Sequence, residues 1–348
     1  MNNRIITIST MANGGIKSVV ENYNQANLFA EFEHSWLCAH KEGSVFFRCR
    51  LFIKCIFELI AALFNGVGLF HVHMAMRGSF FRKMFLISLI KLFKRKVILH
   101  LHGSEFEVFY KNSKPSIQQL IVKTFEKADV VIVLSESWKK FVANLSGEIH
   151  VEVVPNFVQP IKSLCLNQLD TGTKFIFLGA LGKRKGIYDL LPAFQKLLNI
   201  EPTAKLIIGG DGELTQAQQL AQRLGIGHAV EFVGWVSGEE KTKWLNQADV
   251  FILPSYNEGL PMAILEAMSL GKCVISTYVG GIPEAISTND NGLLVAAGNV
   301  EQIFLAMKQA CDKDVRTRLG DAAKNAFEAN FSPTVITPKI KHIYRSLL

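Results

Sequence analysis

Two doubly wound α/β domains are the fold this sequence predicts, and three features carry that expectation. Twelve short runs rich in Val, Ile, Leu and Phe recur along the 348 residues, each separated from the next by a helical length of chain. Runs of this kind are apolar on both faces and read as parallel strands covered by helices on either side. The alternation is interrupted at residues 155–173, where Pro155, Asn156 and Gly172 break it. The length is generous for one hydrophobic core and comfortable for two, and a hydrophobic content of 49% supplies enough apolar surface for two buried sheets.

In the first half the expected strands are 5–9, 35–38, 69–73, 97–101, 130–134 and 151–154. The second half repeats the scheme with 175–178, 205–208, 230–233, 250–253, 273–276 and 293–295. The domains are therefore expected at 1–157 and 172–332, with a last helix over 333–348. The N-terminus runs directly into a strand, so no leader segment is expected. Cysteines 38, 49, 55, 165, 273 and 311 show neither a C-x-x-C pair nor zinc spacing, and read as buried thiols in a reducing cytosol.

The net charge of +8 is unevenly placed. Residues 1–155 hold 19 basic against 12 acidic side chains, whereas 156–348 hold 19 against 18. Between 46 and 96 there are ten bases and one acid, Glu58. These bases are interleaved with rings, as in Phe46-Phe47-Arg48-Cys49-Arg50-Leu51-Phe52 and Phe80-Phe81-Arg82-Lys83-Met84-Phe85-Leu86. Rings at the headgroup layer with cations on lipid phosphates suit an anionic membrane surface, and no nucleic-acid partner is expected. The plain alternative is two amphipathic helices with a solvated basic face. Neither segment is expected to span a bilayer, because Lys54 and Glu58 interrupt the first and the apolar core of the second is short.

The most informative stretch is Pro254-Ser255-Tyr256-Asn257-Glu258-Gly259-Leu260-Pro261-Met262-Ala263-Ile264-Leu265-Glu266. A buried strand leads into a turn carrying Glu258, a helix is expected to start at Pro261, and Glu266 follows Glu258 by eight residues. Proline in a helix's first turn wastes no hydrogen bond, and the free N–H groups there make a seat for phosphate or sugar hydroxyls. Were the interval wholly helical, the two carboxylates would stand roughly 12 Å apart, about the length of a diphosphate with a sugar ring at each end. Two glutamates at this spacing are common in any helical protein. Their meaning comes from the residues downstream: Gly271, the strand from Cys273, Gly280-Gly281-Ile282-Pro283-Glu284, and Asn291-Gly292-Leu293-Leu294-Val295.

Over this run the chain resembles the family 4 retaining glycosyltransferases, whose paired glutamates are written E-x7-E. The resemblance implies the GT-B fold, two Rossmann-like domains facing across a cleft. It implies a nucleotide-sugar donor on the C-terminal domain, an acceptor on the N-terminal domain, and a last helix crossing back to the first domain. It also implies retention by front-face attack, with no metal and no cofactor beyond the donor itself. Glu258, Gly259, Leu260, Pro261 and Glu266 are the donor-binding residues it marks in this stretch.

Other candidates lie where strands end, since ligands of open α/β sheets bind beyond the carboxyl ends of the strands. Gly14 and Gly15 follow the first strand, and paired glycines allow close backbone approach. The family uses this loop near the sugar and the diphosphate; a simple tight turn is the alternative. His102, followed by Gly103, matches a family position that contacts the donor sugar. His73 is a weaker candidate, and the histidines lack an accompanying carboxylate at metal-ligand spacing. Gly179-Ala180-Leu181-Gly182-Lys183-Arg184-Lys185-Gly186 resembles the family's G-R-L-x-x-x-K-G, with Lys185 as the phosphate-binding lysine and Ala180 in place of the usual arginine. Lys183 or Arg184 is expected to supply the missing cation. By resemblance, Gly210, Asp211 and Val233 surround the nucleobase. Asp312-Lys313-Asp314 reads as a solvated turn.

The expected function is transfer of a sugar from a UDP- or GDP-sugar to a lipid-linked saccharide in surface polysaccharide synthesis. The expected location is cytoplasmic, peripheral at the inner face of the membrane. Lys185, Glu258 and His102 are the expected catalytic residues. A GT-B sugar-nucleotide epimerase and a non-catalytic nucleotide-sugar-binding subunit are the alternatives.

Overall fold

A computed structural model describes residues 3–12, 14–164 and 172–348; Cys165 and Asn13 fall outside them. The chain forms two compact units, Met1–Phe157 with Pro333–Leu348, and Val158–Ser332.

The first unit runs β1 (Arg4–Thr10), α1 (Gly15–Gln25), β2 (Glu33–His40), α2 (Val45–Phe64), β3 (Leu69–Met74), α3 (Gly78–Leu92), β4 (Lys96–Leu101), α4 (Phe106–Lys111), α5 (Pro115–Glu126), β5 (Val130–Val133), α6 (Glu136–Ala143) and β6 (Val151–Val153). The second runs β7 (Lys174–Leu178), α7 (Ile187–Leu198), β8 (Lys205–Gly209), α8 (Leu214–Arg223), β9 (Val230–Gly234), α9 (Gly238–Gln247), β10 (Val250–Leu253), α10 (Met262–Ser269), β11 (Cys273–Thr277), α11 (Ile282–Ala285), β12 (Leu293–Val295), α12 (Val300–Cys311) and α13 (Lys313–Asn330). The closing α14 (Pro333–Leu347) belongs to the first unit. All twelve expected strands form.

Both sheets are wholly parallel, in the orders β2-β1-β3-β4-β5-β6 and β12-β11-β10-β7-β8-β9. Strand order therefore reverses between β1 and β3 in the first sheet and between β7 and β10 in the second. Crevices at such reversals, outside the carboxyl ends of the strands, are where doubly wound sheets take ligands.

Strand alternation separates the two faces of the first sheet. Ile6, Ile8, Phe70, Val72, Met74, Val97 and Leu99 join Leu59 and Leu63 of α2, Leu86 and Ile87 of α3, and Phe125 of α5 in one apolar core. The opposite face carries the histidines of β3 and β4, and meets Tyr23 of α1 and Tyr344 of α14. Outside that contact, Glu31 pairs with Lys341 at 2.8 Å and with Arg345 at 2.5 Å, which ties α14 to the first unit at its surface as well.

Two local expectations change, and a third, the solvated Asp312–Asp314 turn between α12 and α13, gains a capping role. Only residues 262–269 are helical after β10, so Glu258 stands in the preceding loop and Pro261 is the N-cap, one position earlier than a first-turn proline. Asp312 is the N-cap of α13, its carboxylate accepting from the Asp314 and Val315 N–H groups, so capping explains the D-x-D triplet. The cysteines at 38, 49, 55, 273 and 311 are unpaired, but Cys49 is exposed, and Cys38 and Cys311 are half-buried. Among the described residues no helix is long and apolar enough to cross a membrane.

Candidate active site

The second sheet builds its candidate site from the loops that leave β7 and β10, the two strands flanking the reversal. After β7 the chain makes a single 3-10 turn, Lys183–Lys185, and Gly186 then turns it into α7 with φ 75°. A Cβ at Gly186 would lie 2.0 Å from the Pro254 carbonyl oxygen, so only glycine lets this loop press against the one that follows β10. The close approach brings the Lys185 ammonium to 2.5 Å from Glu258 Oε1. Ser255 Oγ donates to the same carboxylate oxygen at 2.7 Å. Glu258 is buried, and a buried carboxylate held by a cation and a hydroxyl is fixed in one orientation.

Arg184 supports the same loop. Its carbonyl accepts from the Tyr256 N–H at 2.8 Å, and its guanidinium donates to the Asn257 carbonyl at 3.3 Å. The loop is backed from β11: the Gly281 N–H donates to the Gly259 carbonyl at 2.6 Å, and a Cβ at Gly280, where φ is 57°, would lie 1.8 Å from the Glu258 carbonyl oxygen. The glycine pair after β11 thus fixes the backbone that presents Glu258. Leu260 is buried as an apolar anchor beside Pro261.

Glu266 holds a separate pair. It is buried in α10 and accepts from the Lys241 ammonium of α9 at 2.6 Å. Lys241 belongs to no motif of the sequence; it lies in a charged run, Glu239-Glu240-Lys241, that reads as an ordinary solvated helix face. The loops after β7, β8 and β9 are stitched together beside these pairs. Leu181 N–H donates to the Asp211 carbonyl at 2.5 Å, and Gly210 N–H to the Gly234 carbonyl at 2.7 Å. Val233 stands at the end of β9, next to Gly234.

In the first unit Gly14 is the N-cap of α1 and Gly15 its first residue, at the reversal beside β1. A Cβ at either would meet nothing within 4 Å, so neither glycine is required by packing inside the protein. His102 follows β4 and its Nε2 lies 2.8 Å from His73 Nδ1. The register pairs His73 with His100 across β3 and β4. His71 joins from the same face, its Nε2 3.2 Å from His100 Nδ1 and its Nδ1 2.7 Å from the Tyr344 hydroxyl. Burial pushes His71 and His102 down to about 3, and His73 and His100 well below the usual imidazole range. All four are therefore neutral near pH 7. His71, His73 and His100 bring ring nitrogens within 4.8 Å of one another, a set able to hold a metal ion, and the network with Tyr344 and His102 uses part of that donor set.

Comparison with known proteins agrees with this architecture. Residues 166–326 match the family model described as glycosyl transferases group 1. The chain is 29% identical over 272 residues to N-acetyl-alpha-D-glucosaminyl L-malate synthase of Bacillus anthracis, covering 73% of this chain and 68% of that one. Its structure superposes on sucrose-phosphate synthase of Thermosynechococcus elongatus with a TM-score of 0.83, at 19% identity and 99% coverage of both chains. Anabaena HepE, solved with UDP-glucose, gives a TM-score of 0.81 at 16% identity, again with 99% of each chain covered. The fold is of the GT-B type, and the match to the group 1 glycosyltransferase model falls within the second unit.

Proposed function

We propose that the protein is a retaining glycosyltransferase that moves a sugar from a UDP- or GDP-sugar to a hydroxyl of a lipid-linked saccharide. The observation that carries this reading is the Lys185–Glu258 ion pair at the strand reversal of the second sheet. A diphosphate arriving there takes the ammonium of Lys185, and the sugar hydroxyls take the carboxylate of Glu258. Glu266 holds the hydroxyls of the nucleoside ribose, with Gly210, Asp211 and Val233 around the base. Gly259, Leu260 and Pro261 shape the loop and the start of α10, and Arg184 supplies the cation missing at Ala180.

In the reaction the bond from the anomeric carbon to the diphosphate oxygen breaks, and a bond to the acceptor oxygen forms on the same face. The acceptor's proton passes to the departing phosphate oxygen. The protein's main task is to stabilise negative charge developing on the leaving group, which preorganised donors do most effectively. Lys185 and Arg184 of the second unit are assigned that task. Because these groups carry the charge neutralisation, turnover is expected to survive a metal chelator.

The acceptor is assigned to the first unit. Phe46, Phe57 and Phe64 of α2 and Leu92 of α3 are each more than two-thirds exposed, on helices that also carry Arg48, Arg50 and Lys54. Exposed rings among cations support docking on the anionic inner face of a membrane.

Steady-state assays of nucleotide release test the assignment. Lys185→Ala is expected to lower kcat on the order of 100-fold, the usual effect of losing one preorganised donor to a leaving group, while Glu266→Ala chiefly raises donor KM. Wild-type turnover by both variants would overturn it.

A further inference from the structure

The first unit gathers positive charge at the ligand end of its sheet, opposed there by one exposed carboxylate, that of Glu42. His40 closes β2, and its Nδ1 lies 3.4 Å from the hydroxyl of Thr10, the last residue of β1. Arg82 and Lys83 stand in the second turn of α3, the helix that follows β3. Lys83 is 2% exposed and makes no hydrogen bond or ion pair with any described residue. Burial pushes its ammonium down to about 7, Arg82 adds to the shift, and the thiols of Cys55 and Cys38 oppose it. The Nε of Arg82 is also buried with no hydrogen-bond partner, and Arg48 repels its guanidinium. Arg82, Arg48 and Lys83 all bear on His40 with one sign, and Glu42, which is exposed, is the single group that opposes them there.

A buried cation without a counter-charge is costly, and replacing it with an apolar side chain of similar volume is often stabilising. Lys83 has no structural partner to explain its retention, and a methionine would fill the same space. The arrangement is consistent once an anion joins it. Several cations converging beyond the carboxyl ends of parallel strands match the multiple charge and forked acceptors of a phosphate group.

We propose that Lys83, Arg82, Arg48 and His40 form a seat for a phosphate or diphosphate group, the anionic part of the acceptor. The inference rests on the transferase reading for what carries the phosphate, and on the first unit alone for the seat. It lies on a different sheet from Lys185 and takes a different ligand from the donor diphosphate.

Calorimetric titration of inorganic pyrophosphate into the full chain, with UDP kept saturating to occupy the second unit, tests it. Wild type is expected to bind pyrophosphate, and Lys83→Met and Arg82→Gln to bind it on the order of tenfold more weakly, the usual consequence of losing a charge-assisted hydrogen bond. Lys83→Met is also expected to melt at a higher temperature than wild type, which separates loss of the seat from loss of the fold. Flotation with phosphatidylcholine vesicles, with and without polyprenyl diphosphate, identifies the source of the phosphate. Lys83-dependent flotation on the diphosphate vesicles assigns the seat to a lipid acceptor; Lys83-dependent pyrophosphate binding without it assigns a soluble phosphate. Equal pyrophosphate binding by wild type and both variants overturns the proposal. Failure of sugar transfer with Lys83-dependent binding intact would sink the transferase reading and leave the seat standing.

Discussion

Acidification should loosen the first unit selectively, and His71 sets the scale. The side chain is fully buried, hydrogen-bonded to Tyr344 and His100, and held neutral with a value near 3, against 6.5 for a free imidazole. Between those two values the unfolded chain binds a proton that the folded unit excludes, so stability is complete above about pH 6.5 and falls as pH drops toward 3. For His71 alone the loss amounts to about 1 kcal/mol at pH 6 and about 2 kcal/mol at pH 5. His73 and His100 shift in the same direction and add to it. The second unit is an internal control, because its one histidine, His228, is exposed. Urea unfolding at pH 7.5, 6 and 5, followed by brief proteolysis with fragments assigned by mass, reads the two units separately. The first unit's midpoint should fall with pH much more than the second's. The double variant His71→Leu/Tyr344→Phe, which replaces both hydrogen-bond partners with apolar groups, should flatten part of that dependence. A first unit as insensitive to acid as the second, or a double variant with the wild-type slope, would refute the reasoning.

Two further substitutions probe the second unit. Gly280→Ala places a Cβ 1.8 Å from the Glu258 carbonyl oxygen at a φ of 57°. It should destabilise that unit on the order of 1–3 kcal/mol and raise donor KM, as measured by thermal melting and by nucleotide-release kinetics. Lys241→Met leaves Glu266 buried without its ammonium partner and should raise donor KM by roughly tenfold with kcat little changed. Lys241→Arg should restore much of the loss, and an unchanged KM in Lys241→Met would remove Lys241 from the donor site.

The strands were legible because parallel strands are buried on both faces and so appear as bare Val, Ile and Leu runs, as in β5 and β10. Gly186 and Gly280 were legible as glycines of a motif, but the carbonyls they approach, those of Pro254 and Glu258, are tertiary neighbours that no local pattern encodes. The same is true of Lys241, whose partner Glu266 lies 25 residues away on another helix. His73 and His102 were legible at strand ends, yet their assembly into one network with His71 and His100 depends on the register that sets His73 beside His100. The turn carrying Glu258 and the helix carrying Glu266 were legible from Pro261, which stands as the cap between them. Lys83 read as one more base of an amphipathic segment, since burial of a single lysine on a basic helix leaves no mark in the composition.

Everything assigned to the donor turns on whether a nucleoside diphosphate displaces the contact between Lys185 and Glu258. Calorimetry with UDP and with GDP, on wild type and on Lys185→Ala, measures this directly. One of the two nucleotides should bind wild type, and the variant should bind it on the order of tenfold more weakly. Binding of neither, or equal binding by wild type and Lys185→Ala, would contradict the account.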